Sequence, residues 1–312
     1  MAGIAAARQR YDTAVDTAFT LWNSALAGDV PSAVDAERVI DALSGGLAKD
    51  APALLALTTF PGRVSGDPTF THMVNVAVLT LAQAMTLGLD GPLLRAFGVA
   101  ALLHDIGKVQ TPPEVLHKPE RLTAEEFDIM KRHVVDGAAI LRRTPGMSPL
   151  AAVVAFEHHL KQDLSGYPEN VGPRRLNVCT MMVTIADVFD ALRSHRPYRQ
   201  GLATSRIRSI MSERDSAQFD RPLLMRFVSM MGLFPVGSVV RLQSGEVAVV
   251  TAERAQDPLR PEVRLVSNQQ GAVVAEPIRV RTWEPDRDGR YPHEIRDAVD
   301  PGEIGIDPLN YL

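Results

Sequence analysis

The chain has 312 residues, of which 46% are hydrophobic, and a formal net charge of −4 at pH 7. This balance is typical of a soluble globular protein and argues against a broad basic surface for duplex nucleic acid. We find no apolar run near the roughly 20 residues that a membrane span needs, and no signal-peptide core near the start. The single cysteine, Cys179, rules out an internal disulfide and fits a reducing compartment. We therefore expect a cytoplasmic protein without a membrane span.

Residues 1–59 predict an N-terminal helical segment. Apolar residues recur at helical spacing in its first half. This first helix could pack on the next domain or mediate a homodimer. Pro31-Ser32 opens a second helix, which we expect Gly45-Gly46 to interrupt.

Residues 60–235 predict a helical bundle. Pro92 and Pro149 fit the first turns of two helices. Thr123 begins a capping-box sequence at the start of another. Residues 163–173 are rich in Gly and Pro and therefore predict a loop.

The composition changes after residue 235. Valine-rich runs broken by turn residues predict a small β appendage of three to five strands over residues 236–283. Residues 284–312 are rich in Pro, Gly and charge, and we expect an irregular C-terminal tail. The fold class is therefore mainly α, with N-terminal helices, a helical bundle and a small C-terminal β appendage.

Seven side chains of metal-ligand type lie along the middle of the chain: His72, His104, Asp105, His133, His158, His159 and Asp187. Successive groups are about 25–32 residues apart, roughly a helix, a turn and part of the next helix. A bundle can bring such groups together in its core. Taken alone, each histidine is more often a hydrogen-bonded core or surface residue. Together, imidazole and carboxylate groups suit Fe, Mn or Zn better than Ca or Mg.

Seven ligands are too many for one tetrahedral ion, but they fit two ions that share a bridging carboxylate. The chemistry that follows from such a site is hydrolysis by a metal-bound hydroxide, most often of a phosphoester.

Neighbouring motifs carry a resemblance to a known family. The sequence reads HDIGK from residue 104, GYP from residue 166, ADVFDAL from residue 186 and RPYR from residue 196, with KPERLTAEEFDIMKRHVVDGAAIL between the first two. In this order they resemble, over about residues 60–235, an HD-GYP domain, the phosphodiesterase branch of the HD superfamily that degrades cyclic di-GMP. The resemblance implies an HD-type helical bundle and hydrolysis of cyclic di-GMP to pGpG, with further cleavage to GMP left open.

The resemblance also implies a division of the ligands between two divalent ions, with Fe or Mn preferred and Zn as the third choice. Asp105 would bridge the ions and take part in catalysis. The remaining ligands would form two sets, one of His72, His104 and Asp187 and the other of His133, His158 and His159.

Further roles are implied for residues around the metals. Lys108 would be catalytic and contact the substrate phosphate, while Arg196 and Arg199 would hold the second phosphate. Tyr167 could stack on a guanine or serve a protein partner through the GYP loop. Asp190 could support a metal ligand or lie on the helix surface.

Three positions depart from the family pattern. Leu160 replaces a Glu, Leu164 replaces a Gly, and Pro68 stands where some relatives have a Glu that binds a third metal. We therefore expect a binuclear site, and a GYP loop whose path can differ because leucine disfavours positive φ. Two other functions stay open: hydrolysis of another cyclic dinucleotide such as cyclic GMP-AMP, and a non-catalytic receptor that signals through a partner.

Overall fold

The computed structural model describes residues 2–58, 68–194, 202, 204–213, 218–254, 256–299 and 301–312. Two 3₁₀ helices, Ile106–Gln110 and Pro308–Tyr311, accompany the α-helices of this part of the chain. The α-helices are α1 (Ala2–Leu26), α2 (Ala33–Thr58), α3 (Pro68–Thr86), α4 (Gly91–Leu102), α5 (Pro113–Leu116), α6 (Ala124–Lys131), α7 (His133–Arg143), α8 (Pro149–Glu157), α9 (Val178–Arg193), α10 (Thr204–Glu213), α11 (Arg221–Met231) and α12 (Pro301–Ile304). The prediction of a mainly α fold is confirmed. None of these helices is both long enough and apolar enough to cross a membrane.

The two N-terminal helices share a hydrophobic core with the motif-bearing helices. Leu21 of α1 and Ile40 of α2 belong to the same buried cluster as Leu79 of α3, Ile106 and Val183 of α9. Removing this apolar surface from water is the main force that holds α1 and α2 against the bundle. The predicted boundary between the first two segments falls in 59–67, outside the described residues, so the domain division stays a prediction.

The predicted interruption of α2 at Gly45-Gly46 is wrong, because the helix continues through both glycines. Gly46 packs against the side chain of Arg10 in α1, and this tertiary contact offsets the low helix propensity of glycine. The kink lies instead at Asp50, with φ −156° and ψ 74°. Its Oδ1 accepts a hydrogen bond from the backbone N–H of Ala53 (3.1 Å) and thereby caps a new helical start.

The C-terminal region forms one antiparallel sheet. Its strands are β1 (Val239–Leu242), β2 (Val247–Ala252), β3 (Glu262–Ser267), β4 (Val273–Arg281) and β5 (Ile295–Ala298), in the spatial order β4-β3-β2-β1-β5. Side chains alternate across β2: Ala248 and Val250 join one buried cluster, while Val247 and Val249 join another on the opposite face. Both faces at the centre of the sheet are therefore apolar, and other parts of the chain must shield them from water.

The prediction of an irregular tail is wrong for part of residues 284–312. β5 pairs with β1, with Val240 opposite Ala298. Beyond it, Ile304, Ile306, Tyr311 and Leu312 pack on the second apolar face of the sheet. The tail is ordered because it covers this face, which local β propensity cannot reveal.

Several residues of the sequence motifs lie at the beginnings and ends of helices. Thr123 caps α6, accepting from the N–H of Glu126 (3.2 Å), and the Glu126 side chain accepts from the N–H of Thr123 (2.8 Å), so the predicted capping box is confirmed. His104 lies in the turn after α4, His133 begins α7, and His158 directly follows α8. The candidate ligands therefore lie where helices begin and end near the bundle core.

Candidate metal centre

The structure brings all seven side chains of metal-ligand type together, although they span more than a third of the chain. They form two clusters, in each of which the ligand atoms all lie within 4.8 Å of one another. One cluster contains Asp105, His133, His158 and His159, and the other contains His72, His104 and Asp187. This grouping has the same two sets of residues as the division implied by the family resemblance.

The two carboxylate oxygens of Asp105 face different clusters. Oδ1 lies 3.3 Å from Nε2 of His133 and 3.6 Å from Nε2 of His158. Oδ2 lies 3.4 Å from Nε2 of His104 and 3.7 Å from Nε2 of His72. A carboxylate in this position is suited to bridge two cations.

Backbone carbonyl groups fix the rings of three histidines. The bonds run from Nδ1 to a carbonyl oxygen one turn earlier: His104 to Ala101 (2.7 Å), His133 to Met130 (2.7 Å) and His158 to Ala155 (3.0 Å). Because a carbonyl oxygen can only accept, Nδ1 carries the hydrogen in each neutral ring and Nε2 keeps its lone pair. The Nε2 atoms are the ones that face Asp105, as a ligand histidine requires.

Two carboxylates hold the fourth histidine, His72. Its Nδ1 lies 2.7 Å from Oδ2 of Asp190, and its Nε2 lies 3.2 Å from Oδ1 of Asp187. Burial opposes protonation, but the hydrogen bonds with Asp187 and Asp190 raise the pKa of His72 to about 10. A cation bound at Nε2 would displace this proton. The surface alternative for Asp190 is wrong, since its side chain is fully buried.

The remaining titratable groups favour ligation. Burial lowers the pKa of His133 to about 3 and holds the pKa of His159 well below its usual value, so both rings are neutral at physiological pH. Burial opposes ionisation of Asp105, but the nearby Lys108 and His104 hold the pKa of this carboxyl well below its usual range. The cluster around His133 thus presents two neutral imidazoles, those of His133 and His159, beside the ionised carboxylate of Asp105.

Several buried atoms in these clusters lack a partner that can satisfy them. Among the described residues, Nε2 of His104 and Oδ1 of Asp105 have no hydrogen bond. Nε2 of His133 and Nε2 of His158 lie 3.3 Å apart, although both carry lone pairs in the tautomers fixed above. Such buried acceptors are costly when unpaired. Cations held in the two clusters would satisfy all four atoms, and a mixed imidazole and carboxylate set fits Fe, Mn or Zn.

The comparison with known proteins agrees with this geometry. The family model described as HD domain matches residues 54–223. The chain belongs to the HD domain family. Its HD-GYP resemblance is confirmed by relatives that include a cyclic di-GMP phosphodiesterase of Pseudomonas aeruginosa, which is 33% identical over 254 residues, covering 81% of this chain and 61% of the relative.

Two further relatives match shorter stretches. A cyclic di-GMP phosphodiesterase of Thermotoga maritima is 39% identical over 132 residues, covering 42% of this chain and 36% of the relative. The 3'3'-cGAMP-specific phosphodiesterase 1 of Vibrio cholerae is 37% identical over 143 residues, covering 46% of this chain and 33% of the relative. The chain therefore spans only 61% of the length of the Pseudomonas relative and about a third of these two.

Among solved structures, Bd1817, an HDG"Y"P protein of Bdellovibrio bacteriovorus, superimposes with a TM-score of 0.59. The match covers 72% of this chain and 71% of that chain, at 16% identity. At this identity the likeness supports the HD fold alone.

Lys108 lies at the junction of the two clusters of this HD domain. Its ammonium group contacts Oδ2 of Asp105, and 24% of the side chain is exposed. The Lys108 side chain is therefore partly exposed, while its ammonium group lies at the buried carboxylate. Arg196 and Arg199, the predicted phosphate ligands, lie in 195–201, outside the described residues.

Tyr167 of the GYP motif packs directly on the candidate metal centre. Its ring lies against His159, with centroids 4.4 Å apart and planes inclined by 33°. Its edge contacts Phe127, with centroids 6.0 Å apart. The tyrosine thus supports the ring of His159, and its predicted contact with a guanine or a protein partner stays a prediction.

The GYP loop, residues 163–173, has positive φ at four positions, of which Leu164 and Gly166 flank the start of the motif. Leu164 has φ +63°, although leucine disfavours this conformation. Gly166 has φ +102°, and a Cβ there would lie 2.2 Å from the carbonyl oxygen of His159. Gly166 is therefore required both for its conformation and for the close approach of the loop to the His158-His159 segment.

Sequence reasoning missed three buried polar residues around the centre. Asn75 donates from Nδ2 to Oδ1 of Asp190 (2.9 Å), and Tyr11 donates to Asn75 (2.5 Å). Glu157 accepts hydrogen bonds from Arg174 (3.0 Å) and from the hydroxyl of Thr180 in α9 (3.2 Å). Asn75 was visible as a polar residue in an apolar helix, one turn after His72. Tyr11 had no local signal, because its partner is 64 residues away.

Proposed function

We propose that this protein is a metal-dependent phosphodiesterase that hydrolyses cyclic di-GMP to pGpG. The observation that carries the proposal is the position of Asp105, whose two oxygens face two separate clusters of histidine Nε2 atoms. The curated relatives named cyclic di-GMP phosphodiesterases support the substrate class. The described clusters contain the full set of ligand-type residues, which favours an enzyme over a non-catalytic receptor.

In this proposal the centre is binuclear, and the ions are Fe or Mn, with Zn as the third choice. Asp105 would be shared between the ions. The first ion would be completed by His72, His104 and Asp187, and the second by His133, His158 and His159. When bound, two divalent ions supply Lewis acidity and an activated water for attack at phosphorus.

The protein residues would bind and orient the dinucleotide. Lys108, which contacts Asp105 and is partly exposed, would bind the phosphate under attack and stabilise negative charge that develops on it. Arg196 and Arg199 would hold the other phosphate through charge-assisted hydrogen bonds. Tyr167 would keep the ring of His159 oriented and contact the substrate.

The proposal is tested with purified protein supplied with Mn²⁺ or with Fe²⁺ under reducing conditions. Cyclic di-GMP, 3'3'-cyclic GMP-AMP and cyclic di-AMP are offered separately, and products are separated by chromatography. We expect pGpG from cyclic di-GMP and about two ions per chain by elemental analysis. Preferred cleavage of cyclic GMP-AMP would change the substrate, and tight binding of cyclic di-GMP without cleavage would favour the receptor.

Asp105→Asn is the informative variant, because it keeps the shape of the side chain and removes its charge. We expect this variant to lose most of both ions and all turnover, with unchanged helix content by circular dichroism. Asp128→Asn is the matched control, since Asp128 is an exposed carboxylate on α6 that pairs with Lys131 (2.6 Å). Wild-type metal content in Asp105→Asn would contradict the bridging role.

A further inference from the structure

A chain of buried side chains connects α1 to the candidate ligand His72. The hydroxyl of Tyr11 donates to Oδ1 of Asn75 (2.5 Å), and Nδ2 of Asn75 donates to Oδ1 of Asp190 (2.9 Å). Oδ2 of Asp190 lies 2.7 Å from Nδ1 of His72. Tyr11, Asn75 and Asp190 are each at most 2% exposed, so water does not compete for these bonds.

The carboxylate of Asp190 bonds to the side chains of His72, Asn75 and Arg193. Arg193 also donates to Oδ1 of Asp190 (3.0 Å), and its guanidinium contacts the carbonyl oxygen of Thr58 at the end of α2. Asp190 therefore accepts from groups on α3 and α9, and this leaves little freedom for its carboxylate. A carboxylate held in this way fixes the tautomer and the direction of the ring that it binds.

Tyr11 holds the amide of Asn75 in the orientation that Asp190 requires. The ionised carboxylate of Asp190 can only accept, so it takes the NH₂ group of Asn75, and the amide oxygen then faces Tyr11. The tyrosine hydroxyl donates to this oxygen and thereby fixes the position of the amide. Burial and the charge of Asp190 raise the pKa of Tyr11, so the hydroxyl remains a donor.

The position of Tyr11 in the chain makes this contact informative. The HD family model matches residues 54–223, and Tyr11 lies in α1, well before that range. The contact therefore attaches a helix outside the matched domain to one of the two candidate metal clusters. The other cluster, around His133, has no member in this hydrogen-bond chain among the described contacts.

We infer that Tyr11 is a positioning residue for the cluster of His72, His104 and Asp187, acting through Asn75 and Asp190. The inference rests on the proposed role of His72 as a metal ligand. It makes α1 part of the metal centre, beyond its packing role, and it predicts that loss of one hydroxyl group weakens one of the two ions selectively.

Tyr11→Phe is the primary test, because it removes the hydroxyl and keeps the buried ring. Mn²⁺ binding to metal-free protein is followed by equilibrium dialysis with elemental analysis. Groups that orient metal ligands typically change metal affinity by about 10–100-fold. For this more distant group we expect a dissociation constant about tenfold higher for one ion, with the other ion unchanged.

Leu21→Ala is the matched control. Leu21 is as buried as Tyr11 and lies on the same helix, but its side chain has no hydrogen-bonding group. Thermal unfolding of the metal-free proteins measures how far each substitution loosens α1. Suppose that Leu21→Ala lowers the melting temperature at least as much as Tyr11→Phe and still binds both ions. In that case the weaker metal binding of Tyr11→Phe is caused by the loss of its hydroxyl group.

The pathway through Asn75 is tested with a double-mutant cycle. Asn75→Leu removes the intermediate amide, so adding Tyr11→Phe to it should not weaken metal binding further. As a second measurement, the Nδ1–H signal of His72 in metal-free, ¹⁵N-histidine-labelled protein should shift in Tyr11→Phe and stay unchanged in Leu21→Ala.

The outcomes separate this inference from the proposed function. Wild-type affinity for both ions in Tyr11→Phe, with an unshifted His72 signal, overturns the inference and leaves the phosphodiesterase proposal intact. Equal weakening of both ions in Tyr11→Phe and Leu21→Ala also overturns it, because helix packing then explains the effect. A wild-type protein that binds no Mn²⁺ or Fe²⁺ overturns both.

Discussion

The ammonium group of Lys108 contacts Asp105, and part of the Lys108 side chain is exposed to solvent. We expect Lys108→Met to keep both ions and to lower kcat about 10²–10³-fold, because a positive group aimed at developing phosphate charge has an effect of this size. Steady-state kinetics with metal analysis measures it, and Lys131→Met, at a surface pair on α6, is the control. An unchanged kcat with a raised KM would instead assign Lys108 to ground-state binding.

Leu164 carries local backbone strain, since its φ of +63° is unfavourable for leucine. Left-handed backbone costs a residue with a Cβ about 1–2 kcal/mol, whereas glycine loses about 0.5–1 kcal/mol through its flexibility when unfolded. We therefore expect Leu164→Gly to raise the free energy of unfolding by up to about 1 kcal/mol. Urea unfolding measures the change.

Asn170 offers the matched control for Leu164, with a φ of +60°. Asparagine tolerates this conformation, so Asn170→Gly should gain little. A loss of stability in Leu164→Gly would mean that packing of the leucine side chain outweighs the backbone strain.

At the residue scale, the sequence predicted the candidate ligands that the structure brings together and missed the groups that hold them. Regularly spaced His and Asp residues indicate a metal centre once the HDIGK and GYP motifs accompany them. Tyr11 could not be predicted, because its role depends on α1 packing beside α3, and no local pattern encodes that contact. The positive φ of Leu164 was missed because intrinsic preference was overridden by the turn bonds around it, such as that from Leu164 N–H to the Lys161 carbonyl (2.9 Å).

The HDIGK turn and α7 touch through two glycines. A Cβ on Gly107 would lie 1.9 Å from the carbonyl oxygen of His133 and 2.4 Å from the backbone nitrogen of Gly137. These are backbone atoms, so the 3₁₀ helix would have to move away from α7. We expect Gly107→Ala to lower the free energy of unfolding by about 1–3 kcal/mol and to reduce metal content, because Asp105 and His133 separate.

Gly45→Ala is the control for Gly107→Ala. Gly45 lies inside α2, and a Cβ there would meet nothing within 4 Å. This substitution should stabilise the protein by about 0.5–1 kcal/mol and leave metal content unchanged. Normal metal content in Gly107→Ala would show that the contact between the turn and α7 does not set the geometry of the centre.

The RPYR segment directly follows α9, the helix that carries Asp187. Cyclic di-GMP has two phosphates, and only one can be attacked at a time. We expect Arg196→Ala and Arg199→Ala each to raise KM for cyclic di-GMP by an amount equivalent to about 1.5–3 kcal/mol, the range for a hydrogen bond to a charged group. Hydrolysis of bis(p-nitrophenyl) phosphate, which has one phosphate, should change little. Equal losses on both substrates would assign the arginines to the fold or the metal centre.

At the element scale, prediction worked where the signal was local. The capping box at Thr123 and the proline-started helices were found because the N-terminal turn of a helix is chosen by its own residues. β5 was missed because Ile295–Ala298 pairs with β1 across about 50 residues and has little β propensity of its own. The continuation of α2 through Gly45-Gly46 likewise depends on α1, which packs against Gly46.

At the scale of the whole molecule, the candidate ligands come from five separate segments that share one core. His72 lies on α3, Asp105 follows α4, His133 begins α7, His158 follows α8 and Asp187 lies on α9. Ions bound to all of them would connect these segments and would bind the folded chain only. The order of the segments was predictable from the ligand spacing, whereas their shared core with α1 and α2 was not.

Metal removal should therefore lower the melting temperature of the helical part. An ion present at 100 times its dissociation constant adds about 2.7 kcal/mol of stability for each site. At about 2–4 °C for each kcal/mol in a domain of this size, one ion corresponds to a difference of roughly 5–10 °C between Mn²⁺-loaded and chelator-treated protein. Asp105→Asn should unfold at the same temperature with and without Mn²⁺, because it lacks the shared ligand. A Mn²⁺-dependent rise of wild-type size in that variant would place the stabilising ions elsewhere in the protein.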